Sequence, residues 1–517
     1  MKVLFVTRPF ITEPLGILYL SSVAKDASHQ VEMCLTSDDV HAKVENYKPD
    51  LICYSLMTGN QNFYIKFNNE LKKNNDFIAV FGGSHPTFFP DLIQNDGVDI
   101  ICRGEGEAAF LELLTYLRDG KNITSIMNMD VNIESLKKTS MGAANLSAKA
   151  APKMGCPAVQ QKMASLFSTN DVRPFLEIDD IPMPDRDLIA FKTNLPIKHF
   201  IATRGCPYDC SYCFNKKYYD LYSEKSKRIR IRNHELLVDE IASVVFNDNN
   251  PTNLVYFLDD VFALDKNWLV DFGKEYQKRI GLPFHCHVRP NSLTPDRAAA
   301  LRAAGCNSVS MALESANDRL RNQILNRNLP RSKIIESVKL LQKNGIKLKL
   351  QSMIGLPTGG IAEDLETLEM NIALQPDYAW VSILQPYPGT QLGEFCVSEG
   401  WYKGDFSDLE SNFFDTSLLE FDDEYKSKVA NLQKIFAFTV KNHKIYKTPQ
   451  FWRIINGKRT PKLTSYLENL YTTFRKSAEE GMYGFEIEAK YKFDNEEIKK
   501  APDRIKKAPI PIWAPGG

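Results

Sequence analysis

The stretch His199-Phe200-Ile201-Ala202-Thr203-Arg204-Gly205-Cys206-Pro207-Tyr208-Asp209-Cys210-Ser211-Tyr212-Cys213 decides how this chain is read. It opens as a β-strand over His199–Thr203 and breaks at Arg204-Gly205 into a loop with three cysteines in C-x3-C-x2-C spacing. The same punctuation then recurs. Strand candidates at Leu254–Leu258, Phe284–Val288, Ser308–Leu313, Lys347–Met353 and Ala379–Leu384 are separated by mostly helical stretches. Six βα units between Pro196 and about Pro388 predict a partial (β/α)6 barrel. Active sites of parallel barrels sit at the C-terminal ends of the strands, so the cysteine loop lies at the mouth.

Upstream, short β-branched runs at Val3–Val6, Gln30–Leu35, Leu51–Ser55, Phe77–Phe81 and Val98–Cys102 alternate with amphipathic stretches. This predicts an α/β, doubly wound parallel sheet of the flavodoxin or Rossmann type over 1–120. Its later turns are polar or glycine-rich: Ser55-Leu56-Met57-Thr58-Gly59, Gly82-Gly83-Ser84-His85-Pro86 and Arg103-Gly104-Glu105-Gly106-Glu107. Ligands of such sheets bind outside the carboxyl ends of the strands, where these turns lie. Residues 121–190 read as a linker and lead-in segment, with Ala143–Ala151 prone to helix and a Pro-punctuated run at 179–186. The barrel is assigned 191–395, and 396–517 a mainly helical region ending in a charged, Pro-rich tail; Ile510-Pro511-Ile512-Trp513 could tuck into a groove. From Trp401 on, this region is expected to cap the barrel mouth and help choose the substrate. Phe413, Phe414, Trp452 and Tyr471 are candidate pocket residues or, equally, helix core.

Lys plus Arg and Asp plus Glu each number 64, so the formal net charge is zero. That offers no electrostatic case for nucleic acid. No segment approaches the roughly 20 apolar residues of a membrane span. The apolar start Val3–Val6 runs into Arg8-Pro9 and reads as a strand rather than a signal peptide. A cytosolic protein acting on a small-molecule or peptide substrate is expected. Ten cysteines in such a chain point to metal or catalysis rather than disulfides. Cys34, Cys53, Cys102 and Cys306 read as strand core. Cys286 lies between His285 and His287, but alternation puts the histidines on the opposite face, so the three make no metal site. Cys156 and Cys396 are unassigned.

Thiolates suit iron–sulfur clusters and zinc. Closed structural sites take four ligands, and no fourth Cys or His follows nearby; His234 comes 21 residues after Cys213. Three ligands on a four-iron cube leave one iron open. Zinc completed by a distant residue, or an electron-transfer cluster with a distant fourth cysteine, are the alternatives.

With Tyr212 just before its last cysteine, the motif resembles the radical S-adenosylmethionine (SAM) superfamily. The resemblance implies that Cys206, Cys210 and Cys213 hold a [4Fe–4S] cluster whose open iron chelates SAM. An electron, supplied by a donor such as flavodoxin or ferredoxin, then releases a 5′-deoxyadenosyl radical, in an anaerobic or well-reduced setting. It places Tyr212 near the adenine, and Glu314, in Ala312-Leu313-Glu314-Ser315, on SAM. Phe257-Leu258-Asp259-Asp260-Val261-Phe262 stands where many members carry Gly-Gly-Glu and resembles the Asp-Asp-x-Phe version of the cobalamin-binding branch, which makes Asp259 and Asp260 SAM candidates; capping of the next helix is their structural alternative. Arg289, ending the third barrel strand, is a candidate carboxylate fork for SAM. Ile354-Gly355-Leu356-Pro357 and Pro386-Tyr387-Pro388-Gly389-Thr390 match the same branch.

Residues 1–120 resemble that branch's cobalamin-binding domain through Glu13-Pro14-Leu15-Gly16-Ile17 and the turns quoted above. Ser55, Thr58, Gly82, Gly83, His85, Gly104 and Glu105 are its candidate cobalamin contacts. The Asp-x-His-x-x-Gly loop that supplies a lower cobalt ligand elsewhere is replaced by Thr7-Arg8-Pro9-Phe10. His85 is expected to serve as a contact or structural residue rather than as cobalt ligand. Methyl transfer to a carbon or phosphorus centre is the leading expectation. A cyclase or ring rearrangement on the same cofactors is the second, and a non-catalytic iron–sulfur or corrinoid binding protein the third.

Overall fold

The computed structural model describes residues 1–146, 167–191, 196–223, 227–246, 252–262, 264–404, 409 and 413–484. Cys156, the end of the helix-prone stretch at 143–151 and the tail at 510–513 lie outside these residues. Two sheets organise the rest.

The first sheet has the order β2-β1-β3-β4-β5-β6-β7. Strands β1 (Lys2–Thr7), β2 (Gln30–Leu35), β3 (Leu51–Ser55), β4 (Ile78–Gly82) and β5 (Ile100–Cys102) are parallel, as the βα alternation requires. Helices cover both faces, so the strands are apolar on both. Val3, Phe5, Cys53 and Val80 pack with the helices Leu15–Asp26 and Glu107–Arg118. Leu4, Val6, Ile52, Tyr54 and Phe81 fill the opposite side.

The segment expected to be a linker contributes to this sheet. β6 (Met129–Asn132) pairs antiparallel with β5, and β7 (Phe167–Ser168) antiparallel with β6. Ile123, Ile126, Met129, Val131 and Leu136 are buried in the first core. An uncovered β5 would present a row of unpaired backbone groups, which β6 satisfies.

The second sheet runs β15-β14-β13-β12-β11-β8: β8 (Ile197–Phe200), β11 (Leu254–Phe257), β12 (Phe284–Val288), β13 (Cys306–Glu314), β14 (Lys347–Ile354) and β15 (Tyr378–Ile383), all parallel. Sequential order with helical crossovers is a barrel sheet left open between its edge strands. Here the strands alternate, and β14 is buried at every second residue. Phe200, Phe257, Phe284, Cys286, Val309, Met311, Leu348 and Leu350 face the helices. His199, Tyr256, His285, His287, Ser308, Ser310 and Lys349 share the other face by register and line the lumen. The first barrel strand ends earlier than expected, at Phe200. Thr203–Arg204 (β9) instead pairs antiparallel with Arg230–Ile231 (β10), a ribbon that closes the segment containing the cysteine loop and the helix after it.

The first part of the C-terminal region packs at the mouth end of the sheet, where Trp401, Tyr402, Leu419 and Phe421 share a cluster with Tyr212, Leu356 and Leu384, while its long helices lie elsewhere. Asp423–Lys441 packs on β15 and on the helix Ile361–Leu374. Pro461–Tyr483 crosses the opposite end of the sheet: Asn307 Nδ2 donates to Met482 O (2.9 Å), and Lys347 Nζ to Gly481 O (2.7 Å), both at strand starts. Tyr483 stands 5.6 Å from the His285 ring and closes the floor. Phe413 and Phe414 gather on Trp380, and Tyr471 on Phe414, while Trp452 packs on Phe451 away from them. No described helix is long and apolar enough to cross a membrane.

Candidate active site

Cys206, Cys210 and Cys213 lie in one loop, the first two buried, the third half-buried at the start of the helix Phe214–Asp220. None of the nine described cysteines is in a disulfide. The loop is pinned from several sides. Cys206 N–H donates to Tyr219 Oη (2.7 Å). Arg228 donates to Cys206 O and Tyr208 O (2.8 Å each) and to Asp209 Oδ1 (2.6 Å). Ser211 Oγ donates to Ile324 O (2.6 Å). Gly205 is required: its φ is +106°, and a Cβ there would stand 2.0 Å from Arg228 O. Burial pushes the Cys206 thiol up to about 11 and the Cys213 thiol up to about 12. Without a metal both are thiols at neutral pH, and iron binding must displace their protons.

At the mouth Tyr212, Glu314 and Arg327 form a triangle. Tyr212 Oη donates to Glu314 Oε1 (2.8 Å); Arg327 Nη1 reaches Tyr212 Oη (2.6 Å) and Glu314 Oε1 (3.3 Å). Glu314 has φ +63° at a register shift in β13, a left-handed conformation that costs a non-glycine residue on the order of 1 kcal/mol. Its Oε2 has no protein donor among the described residues. Arg289 stacks on Tyr208 at 3.8 Å, donates from Nη1 to Cys210 Sγ (3.0 Å) and from Nη2 to Arg327 O (2.7 Å), and keeps Nε buried without a partner.

The two neighbouring aspartates have different tasks. Asp259 is buried and accepts from Ala202 N–H (3.1 Å) and Thr203 Oγ1 (2.6 Å), tying β11 to the approach of the cysteine loop. Burial raises its carboxyl to about 7 against these hydrogen bonds. Asp260 is solvent-accessible, and desolvation by the protein packed around it raises its carboxyl against a hydrogen bond with Asn215.

The first sheet turns its C-terminal edge toward this mouth. Phe88, after β4, stacks on Phe214, the residue after Cys213, at 4.4 Å. Glu105 pairs with Arg204 (3.0 Å) and Arg230 (2.5 Å), and its N–H donates to Tyr222 Oη (3.0 Å). Glu13 pairs with Arg186 (2.6 Å) and accepts from His199 N–H (2.7 Å). On the same edge Gly83 has φ +97°, with Leu56 O 2.6 Å from the position of a Cβ. His85 is buried, shares a hydrogen bond with Thr58 Oγ1 (3.2 Å), and is pushed down to about 4 by burial, so it is neutral.

Residues 200–370 match the family model described as the Radical SAM superfamily, and residues 1–114 match the B12 binding domain. The chain belongs to the radical SAM enzymes that carry a B12-binding domain. An uncharacterized methyltransferase of Pyrococcus horikoshii is 26% identical over 400 residues, 74% of this chain and 78% of the relative. The anaerobic magnesium-protoporphyrin IX monomethyl ester cyclase of Rubrivivax gelatinosus is 25% identical over 370 residues, 69% of this chain and 60% of that longer protein. The radical SAM methyltransferase TsrM of Kitasatospora setae, solved with cobalamin and a [4Fe–4S] cluster, shares the fold at TM-score 0.60 and 16% identity, covering 92% of this chain and 99% of TsrM.

Membership in the B12-binding radical SAM enzymes brings three groups: a [4Fe–4S] cluster, SAM and cobalamin. The residues present fit them. Among the described residues no three His, Cys, Asp or Glu side chains converge on a point for one ion. A four-iron cluster takes each thiolate on a different iron and needs no such convergence. On the sheet edge Ile11 and Met57 are exposed apolar residues after the adjacent strands β1 and β3, and Gly83 and Ser84 are exposed after β4. That is a surface on which a corrin face and its amide arms can rest.

Glu105, expected on cobalamin, is consumed by two guanidinium groups in the seam between the sheets. Asp259, expected on SAM, is consumed by backbone and Thr203. A buried carboxylate goes to the nearest donors, and motif position does not reveal them. Tyr212 and Glu314 share one constellation, and Arg289 connects it to Cys210 through Arg327. Ser55, Thr58, Gly82, Gly83, His85 and Gly104 all lie at the first sheet's C-terminal edge. Arg327, Arg204, Arg228 and Arg230 escaped sequence reading. The signal for Arg327 is its Asn326-Arg327-Asn328 setting, in which both asparagines adopt positive φ and turn the arginine inward.

Proposed function

We propose that the protein is a cobalamin-dependent radical SAM methyltransferase acting on an unactivated carbon or a phosphorus centre. One observation carries this reading: the B12-type edge is closed directly against the cysteine loop by the Phe88–Phe214 stack and the Glu105–Arg204/Arg230 pairs. When bound, the three groups supply a carbon-centred radical and a methyl donor in one chamber.

The chain's own residues prepare that chamber. Cys206, Cys210 and Cys213 provide the sulfur ligands, and Arg289 Nη1 donates to Cys210 Sγ and fixes its position in the loop. Arg327 and Tyr212 hold Glu314 by Oε1 and leave Oε2 to accept from the ribose hydroxyls of SAM. Asp260, solvent-accessible among Asn215 and the cysteines, is suited to the SAM ammonium. Phe88, Phe214 and Tyr387 form an aromatic seal that limits water beside the loop. A cyclase reaction on the same cofactors is the second reading, favoured by the relationship to the Rubrivivax cyclase.

Anaerobic reconstitution with iron, sulfide and hydroxocobalamin, followed by SAM and dithionite, tests this. Bound corrinoid, 5′-deoxyadenosine and S-adenosylhomocysteine are expected together, with deoxyadenosine abolished in the Cys206→Ala, Cys210→Ala, Cys213→Ala variant. Corrinoid and deoxyadenosine without S-adenosylhomocysteine, once a substrate is turned over, favour the cyclase. Well-loaded protein with no deoxyadenosine overturns the radical SAM reading of this site.

A further inference from the structure

The barrel lumen carries a feature that cofactor binding leaves unused. His287, Ser310, Lys349 and Tyr378 are in register across β12–β15 and form one layer of the lumen. Lys349 Nζ lies 5.5 Å from the Tyr378 ring centroid and 5.6 Å from that of Trp380. Among the described residues no carboxylate is within ion-pair distance of it. The nearby Glu479 is paired with Arg475 at 3.0 Å, so that pair contributes no net charge. The histidines contribute none: His285 is held between Ser308 Oγ (2.7 Å) and Ser310 Oγ (3.0 Å), His287 bonds Tyr256 Oη (3.0 Å), and burial keeps both neutral. Lys349 is therefore the basic group of this layer that has no acidic partner among the described residues. His287, Lys349, Gln351 and Trp380 are half-buried, so solvent reaches it.

The charged groups above it are already engaged: Arg289 with Cys210 Sγ and Arg327 O, and Glu314 with Arg327. Ala312, Gln351 and Trp380 form the next layer, and Glu314 stands opposite Ser352, three residues along β14 from Lys349. At ~3.3 Å per residue that is a drop of about 10 Å from the Glu314 level to the Lys349 level. The floor below is closed by Tyr256, His285 and Tyr483.

We propose that the substrate carries an oxyanion, a carboxylate or a phosphate, which pairs with Lys349 in the lumen while an aromatic or apolar body lies against Trp380. The reacting centre is then held about 10 Å higher, at the level of Glu314 and Arg289. This deepens the proposed function and rests on the mouth being the SAM site. An ammonium flanked by two aromatic faces and partly withdrawn from water gains from an oxyanion through both charge and hydrogen bonding. Burial lowers the Lys349 pKa, and an anion beside it would raise it again.

The test uses the reconstituted holoenzyme under anaerobic conditions. Lysines are reductively dimethylated with formaldehyde and a borane, alone or with 3-phenylpropionate, phenyl phosphate or neutral 3-phenylpropanamide, and read by peptide mass spectrometry. Lys347, at the floor, is the internal reference. Protection of Lys349 by at least about fivefold by one or both anions, and not by the amide, is expected; which anion protects better identifies the oxyanion. Equal protection by the amide, no protection, or no labelling of Lys349 at all overturns the proposal. Lys349→Arg should keep the rise in Tm produced by the protecting anion and Lys349→Gln lose it. If Lys349→Gln does not fold, labelling of the unaltered protein decides. Deoxyadenosine formation in the same preparation tests the cofactor reading separately: its presence without anion protection overturns only the lumen site, and protection without it overturns only the SAM site.

Discussion

The two parallel sheets are built from the same βα repeat, yet they use their faces differently. In the first sheet helices cover both sides, and the strands read as unbroken apolar runs such as Val3-Leu4-Phe5-Val6 and Ile78-Ala79-Val80-Phe81. In the second, one side meets helices and the other encloses the lumen, and the strands alternate, as in Phe284-His285-Cys286-His287-Val288 and Lys347-Leu348-Lys349-Leu350. The first sheet can place ligands only at its edge, because its faces are spent on stability. The second keeps a face for chemistry and holds its fold with the other.

The strongest way to break this comparison is to cut into the apolar faces. Phe81→Ala in the first sheet should cost about 3–5 kcal/mol, and Met311→Ala on the outer face of the barrel about 2–5 kcal/mol, in denaturant unfolding monitored domain by domain. A cost near zero at Met311 would mean that the outer face is not the barrel's core.

The seam between the sheets supplies an intermediate effect. Burial pushes the Glu13 carboxyl up, but its hydrogen bonds with His199 and the charge of Arg186 outweigh this and hold it at about 2, against an ordinary 4.5. A depressed carboxylate stabilises fully above its unfolded pKa and loses that contribution as pH falls through the folded one. The shift corresponds to about 3 kcal/mol. Glu13→Gln should therefore be less stable than the unaltered protein at pH 7, with the gap narrowing steadily between pH 4.5 and 2. A gap independent of pH would show that the seam is not held by this charge.

The smallest effect belongs to the lumen. Ser310→Ala removes one partner of the buried His285 ring and should cost about 1 kcal/mol, well below its neighbour Met311 on the opposite face. Equal losses at positions 310 and 311 would erase the distinction between the two faces.

Much of this organisation is legible in the strands themselves. Gln30–Leu35, Leu51–Ser55 and Phe284–Val288 have the boundaries that alternation and turn residues suggest, and the opposition of Cys286 to its flanking histidines follows from a period of two. β6 and β7 were not legible, because a strand that covers an edge is selected by its partner rather than by its own pattern. The place of the C-terminal helices was equally hidden: an amphipathic helix specifies that it will be buried, not which surface will bury it.

By itself the amino-acid sequence determined the repeat, the polarity of each strand face and the three-cysteine loop with Tyr212 beside it, since these rest on spacing along the chain. Only the tertiary structure decided which charged groups meet. Glu105 and Asp259 went to seams and backbone, Arg327 and Arg289 came to the mouth, and Lys349 was left in the lumen with aromatic rings and no carboxylate partner among the described residues. Those pairings join residues up to 125 positions apart. Charge interactions act through space and depend on burial, which no local pattern encodes.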